Sequence, residues 1–206
     1  RFRSNPIDVK VRAPKSGTEA TPRILGWDAA GEVIAVGPEV ESFDVGDQVF
    51  YAGDITRSGS NSEYQLVDER IVGRMPTQLD YPAAAALPLT VITTWEGLFD
   101  RLGISRHGDD EGKTILLIGG AGGVGSIAIQ IASKLAKLKV IATASREESR
   151  AWCLKFGANN VINHHNSLVE ELTALGINKV DYIFCLNNTD QHWAAMAKVI
   201  APQGRI

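Results

Sequence analysis

An apolar run that ends in a cluster of glycines constrains the fold of this chain more than any other feature. The run at residues 115–118 predicts a buried strand, and seven residues that include five glycines follow it directly. Three of them have the G-x-G-x-x-G spacing, in which the glycines permit a tight turn, a close approach to a pyrophosphate, and packing of the next helix on the strand. Free N–H groups at the helix start would face the phosphates. The predicted cofactor-binding loop consists of Gly120, Ala121, Gly122, Gly123, Val124 and Gly125.

The residues after the glycines predict a helix and then a second strand. Apolar residues recur at helical spacing and predict one buried face, made of Val124, Ile127, Ala128, Ile131, Ala132 and Leu135. A second apolar run at residues 140–143 lies at the distance that a parallel strand requires. Two alternatives stay open at this point: a glycine-rich turn in an ordinary βαβ unit, and a nucleotide-type fold for another ligand such as an adenosyl cofactor.

Composition excludes several classes of partner. The chain has 206 residues, 44% of them hydrophobic, which is enough for one large or two small cores. It has 21 Lys and Arg against 24 Asp and Glu, and no segment concentrates basic residues, so neither nucleic acid nor an anionic membrane is an expected partner. No apolar run reaches the roughly 18 residues of a membrane span. Cys153 and Cys185 are far apart in sequence, which predicts a reducing, cytoplasmic location.

The first part of the chain differs from the second. Residues 1–79 contain short apolar runs, such as 31–36 and 48–51, between Gly, Pro and Asp turns, and this predicts strands without helices. Residues 81–102 have helical spacing, with Pro82 starting one helix and Pro88 interrupting it.

From Lys113 onward, predicted strands and helices alternate, which is typical of a parallel sheet with crossover helices. Ser145 and Glu148 have the spacing of a capping box, as have Ser167 and Glu170. The predicted order is a helix from Ser145 to Gly157, a strand at 160–162, a helix from Ser167 to about Gly176, a strand at 180–186, a helix from about 190 to 201 that Pro202 stops, and a turn at 204–206 that leads into another strand.

Seven segments resemble the medium-chain dehydrogenase/reductase superfamily, and within it the zinc-type alcohol dehydrogenase-like proteins of the quinone oxidoreductase branch. They are residues 5–10, 26–37, 46–49, 63–64, 87–94, 119–125 and 157–163, and they occur in the family's order. The resemblance implies an α/β fold in which a Rossmann doubly wound parallel sheet follows a GroES-like β-rich domain. The implied domains are 1–80 (GroES-like), 81–112 (helical connector) and 113–206 (Rossmann). Both domains are expected to continue beyond Ile206, and the full-length protein is expected to be a homodimer.

The chain departs from the zinc-dependent members of that family. They have Gly-His-Glu where this chain has Gly26-Trp27-Asp28, and a cysteine ligand near Asn5. The segment from Asp54 to Asn61 also lacks the four cysteines of their structural zinc lobe. A catalytic zinc requires about three His, Cys or carboxylate ligands, and the predicted GroES-like domain contains neither His nor Cys. We therefore expect no metal.

The residues beyond the glycines predict NADPH rather than NADH. Enzymes that select NAD usually place an acidic residue about 20 positions further on, where it binds the ribose 2′-hydroxyl. Here Ser145 and Arg146 occupy that place, and a hydroxyl with a guanidinium can bind a 2′-phosphate. The resemblance adds His164, at a position where similar quinone oxidoreductases bind the phosphate with Tyr. Ser145 as a plain helix cap and Arg146 as a solvated side chain are compatible alternatives.

The chemistry implied by the resemblance is hydride transfer to a quinone or an α,β-unsaturated carbonyl. Without zinc, hydrogen-bond donors must stabilise the charge on the acceptor oxygen. The resemblance places Asn5 and Tyr51 beside the nicotinamide and the substrate carbonyl, and Thr90 or Thr94 near the cofactor carboxamide. The alternatives are that Asn5, which precedes Pro6, is an ordinary turn residue and that Tyr51 is an ordinary strand residue.

Two other functions compete with this one. A zinc-type dehydrogenase that acts on alcohols or aldehydes would need the missing ligands. A nucleotide-binding protein without activity is the other alternative, since the resemblance extends to lens crystallins.

Overall fold

The computed structural model describes residues 1–13, 17 and 21–206. The chain forms two compact units, Arg1–Thr90 and Val91–Ile206. Each unit has its own sheet and its own buried apolar cluster. Among the described residues, no helix has the length and apolar character that crossing a membrane requires.

The first unit contains a four-stranded antiparallel sheet in the order β1-β2-β3-β4. The strands are β1 (Phe2–Arg3), β2 (Asp28–Glu32), β3 (Gln48–Ala52) and β4 (Val72–Arg74), with a 3₁₀ turn at Glu69–Ile71 before the last. Ala30 of β2 and Phe50 of β3 lie opposite each other and pack with Met75, Ala84 and Ala85 on one face of the sheet. This sheet confirms the prediction that the first part of the chain is rich in β-strands.

Two predictions for this unit are wrong in detail. A helix, α1 (Pro6–Arg12), follows β1, although residues 1–79 were expected to contain none. Its start has a physical basis, because Asn5 is the N-cap, proline suits the first turn, and Asn5 and Asp8 form a capping box. The strand expected at 31–36 ends at Glu32, and Ile34 beyond it is 61% exposed.

Helices α2 (Tyr81–Ala84) and α3 (Pro88–Trp95) follow, and a π-helical segment at Glu96–Arg101 continues the second. The Asp80 carboxylate caps α2 by accepting from the Ala83 N–H at 2.8 Å. Pro88 begins α3, where its missing N–H has no consequence. The boundary between the two units falls inside α3.

The second unit is a doubly wound parallel sheet in the order β7-β6-β5-β8-β9. Its strands are β5 (Thr114–Ile118), β6 (Lys139–Thr143), β7 (Asn160–Ile162), β8 (Val180–Cys185) and β9 (Ile200–Arg205). Helices α4 (Gly123–Gln130) and α5 (Glu147–Phe156) contribute to the core on one face, and α6 (Leu168–Ala174) and α7 (Thr189–Val199) to the core on the other. Strand order reverses between β5 and β8, which creates the switch point where such folds bind ligands.

The predicted buried face of the glycine-rich helix is correct at Ala128 and Ala132, only partly correct at the half-buried Val124 and Ile127, and wrong at its end. Ala128 and Ala132 are buried as expected, but Leu135 is 48% exposed and Ala136 is buried in its place. A π-helical segment at Ile131–Leu135 explains the shift, because its wider turn places one additional residue between successive contacts with the sheet.

Two other boundaries differ from prediction. Helix α5 begins after Arg146, which is its N-cap without a side-chain cap bond, so the capping box expected at Ser145 and Glu148 does not form. The predicted helix to residue 201 ends at Val199, and Pro202 lies inside β9, an edge strand of the sheet where a missing N–H can be tolerated. The cap at Ser167 is confirmed, since its hydroxyl accepts from the Glu170 N–H at 3.4 Å.

Candidate cofactor and substrate sites

The glycine-rich loop lies at the carboxyl edge of the parallel sheet, at the switch point. Gly119 follows β5 with a φ of 90°, a conformation that favours glycine. Gly122 is the N-cap of α4, and α4 begins at Gly123. The loop therefore presents the N-terminal N–H groups of α4 at the sheet edge, as the spacing of the glycines predicted.

The glycines of the loop have different roles. A Cβ on Gly120 would lie 2.7 Å from Ala142 Cβ, and one on Gly125 would lie 2.6 Å from the Gly120 carbonyl oxygen and also collide with that of Gly119. These two glycines permit close packing between helix and strand. A Cβ on Gly122 would have one neighbour at 3.4 Å, and Gly122 and Gly123 are exposed. The loop is thus open on its solvent side, which fits a diphosphate.

Thr143, which is not among the predicted site residues, stabilises this loop through two hydrogen bonds. It is the last residue of β6 and only 1% exposed. Its hydroxyl accepts from the Gly119 N–H at 3.0 Å, and its carbonyl accepts from the Gly120 N–H at 3.2 Å. The end of β6 therefore fixes the first turn of the loop.

A second contact that sequence reasoning missed joins α5 to the loop. Trp152 donates its indole N–H to the Ser126 hydroxyl at 2.8 Å, and Ser126 donates to the Gly122 carbonyl at 2.8 Å. Trp152 is 44% exposed and packs edge-on against Phe156. The partners are 26 residues apart, and no local pattern links them.

Ser145 and Arg146 are exposed and follow β6 after one buried residue, Ala144, at the start of α5. His164 follows β7, the neighbouring strand, and is half-buried. Burial lowers the pKa of His164, and the nearby His165 and His192 lower it further. Its Nδ1 is buried without a hydrogen-bond partner. The three predicted phosphate ligands thus follow adjacent strands, at the same edge of the sheet.

Two of the three threonines of α3, Thr90 and Thr94, donate to backbone carbonyls. Thr94 is fully buried and donates to the Val124 carbonyl of α4 at 3.2 Å. Thr90 is 8% exposed and donates to the Leu87 carbonyl at 2.9 Å. The Thr94 hydroxyl therefore contacts the glycine-rich helix.

Asn5 belongs to a buried polar network in the first unit. It is 7% exposed, and its side-chain Nδ2 donates to Asp28 Oδ2 at 2.8 Å. Its backbone N–H donates to Asp8 Oδ2 at 2.6 Å, so Asp8 makes a structural hydrogen bond. Asp28 Oδ1 accepts from the Leu89 N–H at 2.8 Å. This network links α1, β2 and α3 inside the unit.

Tyr51 lies on the other face of the same sheet. In the register of the sheet, Tyr51 of β3 lies opposite Ala29 of β2, so these two side chains point to the same face. Asp28 is the neighbour of Ala29 on β2, and neighbouring residues of a strand point to opposite faces. Tyr51 and Asp28 therefore point to opposite faces of the sheet. The Tyr51 hydroxyl donates to Gln65 Oε1 at 2.7 Å, and burial raises the pKa of this phenol. Tyr51 lines a cavity of about 580 Å³. The structure therefore does not bring the two predicted donors, Asn5 and Tyr51, to one face.

Comparison with known families agrees with both units. Residues 2–77 match the family described as alcohol dehydrogenase GroES-like domain, and residues 123–206 match the family described as zinc-binding dehydrogenase. The chain belongs to the medium-chain dehydrogenase/reductase superfamily. This confirms the resemblance on which the expected fold rested.

Three relatives from this superfamily illustrate its range. A zinc-type alcohol dehydrogenase-like protein of Staphylococcus aureus is 50% identical over 203 residues, which are 98% of this chain and 60% of that protein. The NADPH-dependent alkenal/one oxidoreductase of Arabidopsis thaliana, a chloroplastic protein, is 36% identical over 87% of this chain and 46% of its own length. The structure of Escherichia coli quinone oxidoreductase complexed with NADPH is 29% identical, with a TM-score of 0.82 over 98% of this chain and 60% of that one. This chain thus spans about 60% of the length of the first relative.

The residues of this superfamily member do not fit a zinc ion at the position where zinc-dependent relatives hold one. Trp27 replaces the histidine ligand there, is 2% exposed, and donates its indole N–H to the Asp54 carbonyl at 3.2 Å. Asp28, at the glutamate position, uses both carboxylate oxygens to accept N–H groups. Within the described ranges, no three His, Cys, Asp or Glu residues form a group that could hold a metal ion.

Proposed function

We propose that the full-length protein is an NADPH-dependent oxidoreductase that transfers hydride to a quinone or an α,β-unsaturated carbonyl without zinc. One observation carries the proposal: the glycine-rich loop at the switch point is crowded on its strand side and open at Gly122, where a diphosphate would bind. The names of the Escherichia coli and Arabidopsis relatives support the substrate class.

The loop residues would hold the cofactor, and a bound dihydronicotinamide would supply the hydride. The N–H groups at the start of α4 would face the phosphates, and the positive end of the helix would favour their charge. Thr94 positions α4 by bonding to the Val124 carbonyl. The chain therefore contributes orientation and charge stabilisation.

The choice of NADPH rests on the residues after β6. Ser145 and Arg146 are exposed there, and the position that selects NAD by an acidic side chain is not acidic. A guanidinium binds a phosphate through charge-assisted hydrogen bonds. His164 after β7 is the third proposed ligand of the 2′-phosphate.

A proton or hydrogen-bond donor would replace the Lewis acid of the zinc enzymes. We assign this role to the Asn5 amide, because Asn5 is held rigidly by two carboxylates. Tyr51 remains the alternative donor, on the cavity side of the sheet. The expected homodimer and cytoplasmic location stay predictions.

Turnover by the full-length protein tests this function. Oxidation of NADPH is followed at 340 nm with phenanthrenequinone and with a simple enone as acceptors. NADH replaces NADPH in the matched comparison. The metal content of the protein is measured separately by plasma emission. We expect turnover with NADPH and less than stoichiometric zinc. Zinc at one ion per chain together with alcohol oxidation would favour the zinc-type alternative. Tight NADPH binding without turnover for any quinone or enone would favour a binding protein.

A further inference from the structure

Asp28 is a buried carboxylate held by N–H groups of uncharged partners. It opens β2 and is fully buried. The Asn5 amide binds one of its oxygens and the Leu89 N–H binds the other, each at 2.8 Å. The carboxylate therefore stands between the start of α1 and the start of α3.

The charge of Asp28 has a cost for stability. Burial raises the pKa of this carboxyl, while the N–H groups of Asn5 and Leu89 and the charge of Arg3 act in the opposite direction. A buried carboxylate is disfavoured unless it is well paired, and an asparagine of the same shape would avoid that cost.

Only a carboxylate can accept from both neighbours. An asparagine at position 28 offers one acceptor and one donor group. Because the Leu89 N–H is fixed by the backbone, the amide oxygen of that asparagine would face Leu89 and its NH₂ would face Asn5. Asn5 would then have to turn its own oxygen toward position 28.

The backbone of Asn5 is held independently of Asp28. Its N–H donates to Asp8 Oδ2 at 2.6 Å, and its carbonyl accepts from the Asp8 N–H at 3.0 Å. A substitution at position 28 therefore acts on the direction of the Asn5 amide and leaves the residue in place.

We propose that Asp28 is the positioning residue for Asn5: its carboxylate holds the amide nitrogen of Asn5 and so fixes the donor that meets the substrate oxygen. One N–H of that nitrogen bonds to Asp28, and the second N–H is the donor. The inference rests on the proposed function, in which Asn5 stabilises charge on the acceptor.

A double-mutant cycle in the full-length protein tests this role. Asp28→Asn is expected to lower kcat about 100-fold, the scale of one lost donor to a developing oxyanion. KM for NADPH should stay within about twofold, because uniform cofactor binding is unchanged. In the Asn5→Ala background, Asp28→Asn should cause no further loss, since coupled residues are not additive. Asp80→Asn is the matched control, because it removes a carboxylate that caps α2.

A second readout does not depend on activity. In protein labelled with ¹⁵N-asparagine, the side-chain amide signals of Asn5 are identified by their loss in Asn5→Ala. We expect Asp28→Asn to shift them and Asp80→Asn to leave them in place. If Asp28→Asn does not fold, the exchange variant Asn5→Asp/Asp28→Asn is used, because it again places one carboxylate opposite one amide. We expect this variant to fold and to have a kcat as low as that of Asn5→Ala.

Two results would overturn the positioning role alone: kcat that is insensitive to Asp28→Asn, or an equal loss in the wild-type and Asn5→Ala backgrounds. Unshifted Asn5 signals in Asp28→Asn would do the same. A wild-type protein without turnover for any quinone or enone would overturn the proposed function, and this role with it.

Discussion

The Gly119 N–H donates to the buried Thr143 hydroxyl at 3.0 Å, so the last residue of one strand fixes the turn that follows its neighbour. A valine at position 143 keeps the shape and removes the acceptor. We expect Thr143→Val to lower the free energy of unfolding by about 1–3 kcal/mol, the cost of an unsatisfied N–H in a buried place. We also expect weaker NADPH binding, because the loop loses its support.

Thr143→Ser is the control for this prediction, because serine keeps the hydroxyl. Chemical denaturation and a fluorescence titration with NADPH measure the two effects. Weak binding by the serine variant, equal to that of the valine variant, would show that the methyl group and not the hydroxyl supports the loop.

Two glycines of the loop should respond differently to alanine. In Gly125→Ala the new Cβ would crowd the Gly120 carbonyl at 2.6 Å, so we expect overpacking to cost about 1–3 kcal/mol of stability without any cofactor. In Gly122→Ala the Cβ has one neighbour at 3.4 Å, and we expect stability to change by less than about 1 kcal/mol. NADPH affinity should nevertheless fall, because that Cβ occupies the open side of the loop. Unimpaired NADPH binding by Gly122→Ala would place the diphosphate elsewhere.

Arg146 should decide the choice between NADPH and NADH. We expect Arg146→Asp to weaken NADPH binding about 10- to 100-fold, which corresponds to the loss of one charged hydrogen bond, and to leave NADH binding nearly unchanged. Lys139→Asp makes the same change of charge on an exposed residue at the opposite end of β6. Titrations of both cofactors with both variants separate a local contact from a change of net charge. Equal effects of the two substitutions would contradict a direct phosphate contact.

The sequence predicted those parts of the fold that local patterns determine. The strand before the glycines, the turn and the start of α4 follow from residues that are close in sequence. Helix α1 was missed although Asn5, proline and Asp8 together form a start pattern, because the pattern covers only two turns between segments without helical spacing. Leu135 was placed on the buried face because a regular period cannot anticipate a π-helical turn.

The candidate site was harder to predict, because its contacts join distant residues. Asn5 and Asp28 are 23 residues apart, and their hydrogen bond depends on the pairing of β1 with β2. One sign of it exists in the sequence, since Asp28 is a charged residue directly before the apolar Ala29 and Ala30. The opposite orientations of Asn5 and Tyr51 depend on strand register, which no local pattern determines.

Tyr51→Phe and Asn5→Ala together decide which residue faces the substrate oxygen. We expect Asn5→Ala to lower kcat by about 100-fold. Tyr51→Phe removes the hydrogen bond to Gln65 and should cost about 1 kcal/mol of stability, with kcat within about threefold of the wild type. Steady-state kinetics with one quinone measures both. A larger loss of kcat in Tyr51→Phe than in Asn5→Ala would indicate that Tyr51, on the cavity side of the sheet, is the donor.

His164 should make the protein less stable in mild acid. Burial lowers the pKa of His164 below its ordinary value, with His165 and His192 as further causes, so the unfolded chain binds a proton more readily than the folded one. Stability linked to this group is therefore present above a pH of about 6.5 and is lost as the pH falls through the lower pKa of the folded state. We expect the free energy of unfolding to decrease less between pH 7 and pH 5 in His164→Gln than in the wild type, with both measured by urea denaturation and referenced to pH 8. Parallel curves for the two proteins would show that His164 does not titrate differently on folding.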